Sequence, residues 1–151
     1  MSYNTTPSFK SKSILTQAVQ EYSDFSIDID DSDRYYLKST MYILVNKSLN
    51  MTPGKVASQV AHAAEILALR YRQHPRFKAY KQNGSPKIVL SIPTEERFIE
   101  ILDQTKNKEK VYIIDAGKTQ CPENSTTVVA FAPLFEKEIP PVLKTLSLYN
   151  K

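Results

Sequence analysis

Twenty-one residues separate Pro53 from Pro75 without another proline, and they begin only a few positions after the apolar run Met41-Tyr-Ile-Leu-Val45. No other stretch restricts the fold as strongly. The β-branched and aromatic run suits a buried strand. Thr52-Pro53-Gly54 then reads as N-cap, N1 and N2 of a helix, because the amide proton that Pro lacks is one that a first turn leaves unbonded anyway. The helix is expected to continue to about Gln73. Val56, Val60, Ala63, Ala64, Leu67 and Tyr71 form its core stripe. Ala57, Ala61, Ala64 and Ala68 give a second stripe, small enough for close approach to a sheet.

The pattern beyond Pro75 continues this alternation. A turn at Asn83-Gly84-Ser85-Pro86 precedes a strand at Lys87–Ile92, and Thr94 opens a helix over 94–105 whose Glu95 and Glu96 complement the helix dipole. Val111–Ile114 is a short buried strand and Thr126–Ala132 another. A last helix begins around Pro140 and ends near Leu146. The order β-α-β-α-β-β-α predicts an α/β fold, a three-layer α/β/α domain around a four-stranded mixed sheet, with right-handed crossovers covering its faces. A chain of 151 residues has the size of one such domain.

Charge sets the first forty residues apart. Residues 1–40 hold four basic and six acidic side chains, net −2, whereas the remainder holds 16 basic and 10 acidic, net +6. The expectation is a flexible acidic arm over 1–40 and a basic folded domain over 41–151. Within the arm, Ile14, Leu15, Ala18, Val19 and Tyr22 recur at helical spacing, which predicts a short amphipathic helix from about Ser13 to Tyr22. Asp24 to Asp33 reads as a solvated linker; the sharper reading lays it over the basic surface described below, in competition with a polyanion. The first twenty residues are Ser/Thr-rich but lack Arg, which disfavours an organelle transit peptide. No run of about 18 apolar residues exists, so no membrane span is expected.

Composition removes several chemistries. Three glycines are about 2% of the chain, against roughly 7% in average usage, and multi-glycine phosphate cradles are excluded. One Cys and two His are too few for a zinc site of the usual spacing. The expectation is a reduced, intracellular protein located in the cytoplasm.

Three features remain that can carry chemistry. Lys55, Gln59 and His62 are i, i+4 and i+7 on one helix face, next to the opening Pro53-Gly54. They suit the floor of a groove; an ordinary solvated face with one partly buried His is the alternative. Asp115-Ala-Gly117-Lys-Thr119-Gln120 follows a buried strand directly, where open α/β sheets usually place ligands, though a plain strand-ending turn has the same pattern. Between Ile66 and Thr94 lie Arg70, Arg72, Arg76, Lys78, Lys81 and Lys87 with no acid at all, interleaved with Tyr71, Phe77 and Tyr80. Such a stretch suits a phosphate backbone with unstacked bases nearby, or else a basic solvated helix end.

Together these blocks resemble a known family. Gly54-Lys55-Val-Ala-Ser-Gln59-Val-Ala-His62-Ala-Ala64, Gly84-Ser-Pro-Lys87-Ile-Val and Asp115-Ala-Gly117-Lys-Thr119-Gln120 are similar, in order and separation, to the signature blocks of type II (archaeal/eukaryotic-type) peptidyl-tRNA hydrolases, over about Met41 to Tyr149. The resemblance implies an esterase that cleaves N-blocked peptidyl-tRNA without a cofactor, on a compact α/β/α fold. It maps Lys55, Gln59, His62, Asp115, Gly117, Thr119 and Gln120 onto the active-site region. Asp115 would orient or deprotonate a water, Lys55 and backbone N–H groups near Gly54 and Gly117 would stabilise the oxyanion, and Thr119 and His62 would hold substrate or water. The stretch from Arg70 to Lys87 would hold the tRNA acceptor arm. No Ser-His-Asp arrangement is legible, so no acyl-enzyme is expected. A non-catalytic tRNA-binding module on the same fold is the alternative, and a monomer or homodimer is expected. Three places depart from the family pattern: Glu123-Asn124 stands where Pro-Gly is common, Ala132-Pro133 where Gly-Pro is, and Pro140-Pro141 lies inside the usual start of the last helix, which is therefore expected to be short.

Overall fold

The computed structural model describes residues 38–115, 117 and 121–150. Residues 1–37, on which the expected amphipathic helix and Asp-rich linker fall, lie outside the described residues, and so do Thr119 and Gln120; Ser39 and Thr40, expected to belong to the arm, are instead the start of the first strand. Strand β1, Ser39–Asn46, is the centre of the sheet. It pairs in parallel with β2, Lys87–Ile92, and antiparallel with β4, Thr126–Phe131. On the far side of β4 lies β3, Lys110–Ile114. Two further strands correct the expected number from four to six. β5, Leu134–Phe135, pairs with the first residues of β1, and β6, Ser147–Leu148, pairs with the outer edge of β2. Runs of two residues carry no periodicity, so neither leaves a trace in the hydropathy pattern.

Helix α1, Pro53–Tyr71, supplies the crossover from β1 towards β2, with Thr52 as N-cap accepting a bond from the Lys55 amide. It ends two residues before the expected point, and a separate helix α2, Pro75–Gln82, follows. Proline disfavours helical dihedrals in the residue before it; His74 is accordingly extended and caps α2 instead, its Nδ1 accepting from the Arg76 amide. Helix α3, Glu95–Gln104, is capped by Thr94 as expected. The last predicted helix is corrected to a 3-10 segment of five residues, Pro141–Thr145, which closes i to i−3 bonds such as Leu143 N–H to Pro140 C=O.

Alternation along β1 feeds two cores. Met41, Ile43 and Val45 join Val56, Ala63 and Leu67 of α1 and Phe77 and Tyr80 of α2; Leu44 joins Leu90, Ile92, Phe98, Ile101 and Phe131. The small-residue stripe is half right. Ala64 and Ala68 pack against the first core, whereas Ala57 and Ala61 are exposed, because α1 meets the sheet through Val56, Gln59, Ala63 and Leu67.

Candidate active site

The carboxyl ends of β1 and β3 lie at the same end of the sheet, because both pair antiparallel with β4, and α1 begins there. Asp115, the first residue after β3, is locked by its backbone. Its N–H donates to Ser125 C=O and its C=O accepts from Asn124 N–H, so the loop returns directly over it. Asn124 adopts φ 65°, the left-handed conformation that Asn tolerates where the family pattern commonly has Gly. Ala132 at the second departure is not among the residues with positive φ.

Lys55, in the first turn of α1, reaches across to Asp115, Nζ to Oδ2 at 2.5 Å, with both side chains largely shielded from water. The other carboxylate oxygen, Oδ1, accepts the Gly117 N–H at 2.7 Å. These two donors, Lys55 first, hold the Asp115 carboxyl below the ordinary carboxylate range, against the opposing effect of burial. Asp115 is therefore ionised at neutral pH, a fixed negative charge rather than a strong base. Gly117 is required twice over. Its φ is +74°, and a Cβ there would come within 2.8 Å of Glu123 Cα and Cβ.

Cys121 lies in the core beside this pair. Burial raises its thiol pKa, and the Asp115 charge raises it further, which keeps it protonated and poorly nucleophilic. Among the described residues, no group of three or more His, Cys, Asp and Glu side chains is arranged to hold a metal ion.

The structure thus joins Lys55, Asp115 and Gly117 into one network, with Gly54 exposed at the adjoining helix start. One turn further on, Gln59 is buried, and His62 beyond it is exposed. Sequence reasoning missed Asn46 at the end of β1. Its buried amide donates to Glu95 Oε2 at 2.7 Å and to Thr126 C=O at 3.1 Å, and its Oδ1 accepts from Ser48. It ties the end of β1 to the starts of α3 and β4. An Asn closing an apolar strand was the only available signal.

The basic stretch divides. Arg70, Arg72, Lys81 and Lys87 are exposed and Lys78 is half-buried. Arg76 instead pairs with Glu138 at 2.5 Å and lies over the Phe135 ring, beside a cavity of about 240 Å³ at the opposite end of the sheet from Lys55. The aromatic residues correct the base-stacking expectation. Phe77 and Tyr80 are buried in the core, since they are i and i+3 on the inner face of α2, and Tyr71 is half-buried.

Residues 39–149 match the family described as Peptidyl-tRNA hydrolase PTH2. The chain belongs to that family. It is 35% identical over 144 residues to the human protein named Peptidyl-tRNA hydrolase 2, mitochondrial, covering 93% of this chain and 77% of that one. Against the bovine protein of the same name the identity is 34% over 113 residues, 72% of this chain and 63% of that one. Peptidyl-tRNA hydrolase of Nanoarchaeum equitans is 32% identical over 111 residues, 71% of this chain and 96% of that protein. The chain thus spans under two thirds of the bovine relative and nearly all of the archaeal one. No helix among the described residues is long and apolar enough to cross a membrane.

Proposed function

We infer that this chain hydrolyses the ester joining a peptide to the 3′-terminal ribose of tRNA, returning the tRNA to translation. The observation that carries the reading is the shielded Lys55–Asp115 pair at the carboxyl ends of the strands, in a chain of the PTH2 family. Ester hydrolysis needs a positioned water and donors for a developing oxyanion. The Lys55 ammonium, fixed by Asp115 and helped by the positive end of α1, is the electrostatic stabiliser in this proposal. Backbone N–H groups near Gly54 and Gly117 act with it. Asp115 orients Lys55 and the attacking water; its depressed pKa supports orientation over strong general-base work. Gln59, His62, Thr119 and Gln120 hold substrate or water in the same scheme, with no cofactor. Release of N-acetylated amino acid from its tRNA, but not of the unblocked amino acid, is the expected result. Release of neither overturns the reading, and equal release of both reduces it to an unselective esterase.

The acceptor arm belongs along the flank of α1 in this proposal. From Lys55 to Arg72 the helix rises about 25 Å, which carries a duplex from the ester to the cluster of Arg70, Arg72, Lys78, Lys81 and Lys87. The three-layer arrangement is part of the same reading, supported by α1 and α2 on one core and α3 on the other. So is a cytoplasmic location, which cell fractionation tests against the mitochondrial naming of the mammalian relatives.

A further inference from the structure

A groove of about 360 Å³ opens between the C-terminal half of α1 and α2. Ala64, Ala68 and Leu69 contribute its apolar floor, and Arg72, Lys81 and Lys87 its rim. Leu69 is 60% exposed, an apolar side chain presented to water in the middle of a basic surface. Met41 lines one wall, three residues after the point where residues 1–37 join the sheet. That joining segment has the complementary chemistry. It carries the apolar residues Ile14, Leu15, Ala18, Val19 and Tyr22, followed by Asp24, Asp28, Asp30, Asp31 and Asp33.

We propose that the chain's own N-terminal segment, residues 13–33, docks in this groove, its apolar stripe on Ala64, Ala68 and Leu69 and its aspartates on the Arg72, Lys81 and Lys87 rim. The tether permits it. From Asp33, the last docked aspartate, to Lys38 the chain spans at most about 18 Å when extended, and Met41, three residues further on, already lines the groove. A tether of that length gives an effective concentration of the order of millimolar, so an interaction too weak to hold two separate molecules still fills the groove in cis. Buried apolar side chains supply attraction, and opposite charges set the register. The consequence for activity rests on the acceptor-arm path proposed above: a docked segment occupies the RNA surface, and the apparent substrate affinity falls by the fraction of molecules left open.

The test uses the full chain. A nitroxide is attached through Ser23→Cys, the native Cys121 being buried, and broadening of backbone amide signals is read by NMR. Broadening centred on Ala68, Leu69 and Lys81, abolished by Leu69→Lys, is expected. Broadening absent there, or centred on another surface, overturns the docking. In parallel, Asp28, Asp30, Asp31 and Asp33 are changed together to Asn. KM for N-acetylated aminoacyl-tRNA is expected to fall about 3–10-fold at low salt with kcat unchanged, and the difference to vanish at high salt. Groove broadening with an unchanged KM supports the docking and overturns the acceptor-arm path instead, so the two failures are distinguishable.

Discussion

Replacing Gly117 with Ala tests whether the strand-end turn, and not only its charged residues, builds the site. A side chain at φ +74° sits in the left-handed region, which costs about 1–2 kcal/mol for a non-Gly residue. The new Cβ would lie 2.8 Å from Glu123 Cα, so the backbone at Glu123 must retreat by about 0.7 Å to restore a carbon–carbon separation near 3.5 Å. Overpacking of this kind costs about 1–3 kcal/mol. Together the variant should lose about 2–5 kcal/mol in urea unfolding, unless the loop relaxes at the expense of the Gly117 N–H bond to Asp115. In that case stability recovers while the carboxylate is left with one of its two anchors, and turnover falls instead. The two readouts are therefore taken together on one preparation. Gly117→Asn is the control, because Asn tolerates the left-handed region but brings the same Cβ; it should recover the strain component and keep the clash. An Ala variant with both the native unfolding midpoint and native kcat would refute the reasoning, since it would mean that neither the dihedral nor the approach of Glu123 constrains this turn.

Further outcomes follow from the same geometry. Asp115→Asn should lower kcat by about 10²–10³-fold with tRNA affinity nearly kept, as removal of a positioned charge does; a large loss of binding measured by filter retention would take Asp115 out of the chemistry. Because the folded-state pKa of Asp115 lies below its unfolded value, the contribution of the ionised carboxylate is present above the ordinary carboxylate range and lost only as pH falls through the depressed value. The acid limb of unfolding should accordingly shift in Asp115→Asn below about pH 4 and not at about pH 6. Cys121 should resist alkylation in the native protein at about pH 8 and react fully in denaturant; rapid native labelling contradicts its burial and raised pKa. Reversing the charges of Arg72 and Lys81 should reduce the salt dependence of tRNA binding by about 0.7–0.9 in log–log slope for each phosphate no longer neutralised, and an unchanged slope puts the RNA elsewhere. Asn46→Ala should cost about 1–3 kcal/mol by leaving its buried partners unsatisfied.

Strands β1 to β4, helices α1 and α3, and the N-caps Thr52 and Thr94 were legible in the residues, because each depends on a local signal: apolar periodicity, a capping hydroxyl, a proline at a first turn. The candidate site was legible only as separate blocks, those that hold Lys55 and Asp115. That Lys55 and Asp115 touch was not, since sixty positions separate them and only the antiparallel placement of β4 between β1 and β3 brings the two strand ends together. Phe77 and Tyr80 show the converse failure. Their spacing among basic residues suits both a nucleic-acid platform and the inner face of a short helix, and burial alone decides between them.

The sequence by itself determined the alternation of strand and helix, the net charge of −2 over residues 1–40 against +6 over the remainder, and the glycine at position 117, because those follow from local backbone preference and composition. Tertiary structure alone decided the six-stranded sheet, the split that turns Arg76 away to Glu138 while Arg72, Lys81 and Lys87 rim an apolar groove, and the partner that fixes the charge of Asp115. These are properties of distance between residues remote in the chain, and local preference carries no information about distance.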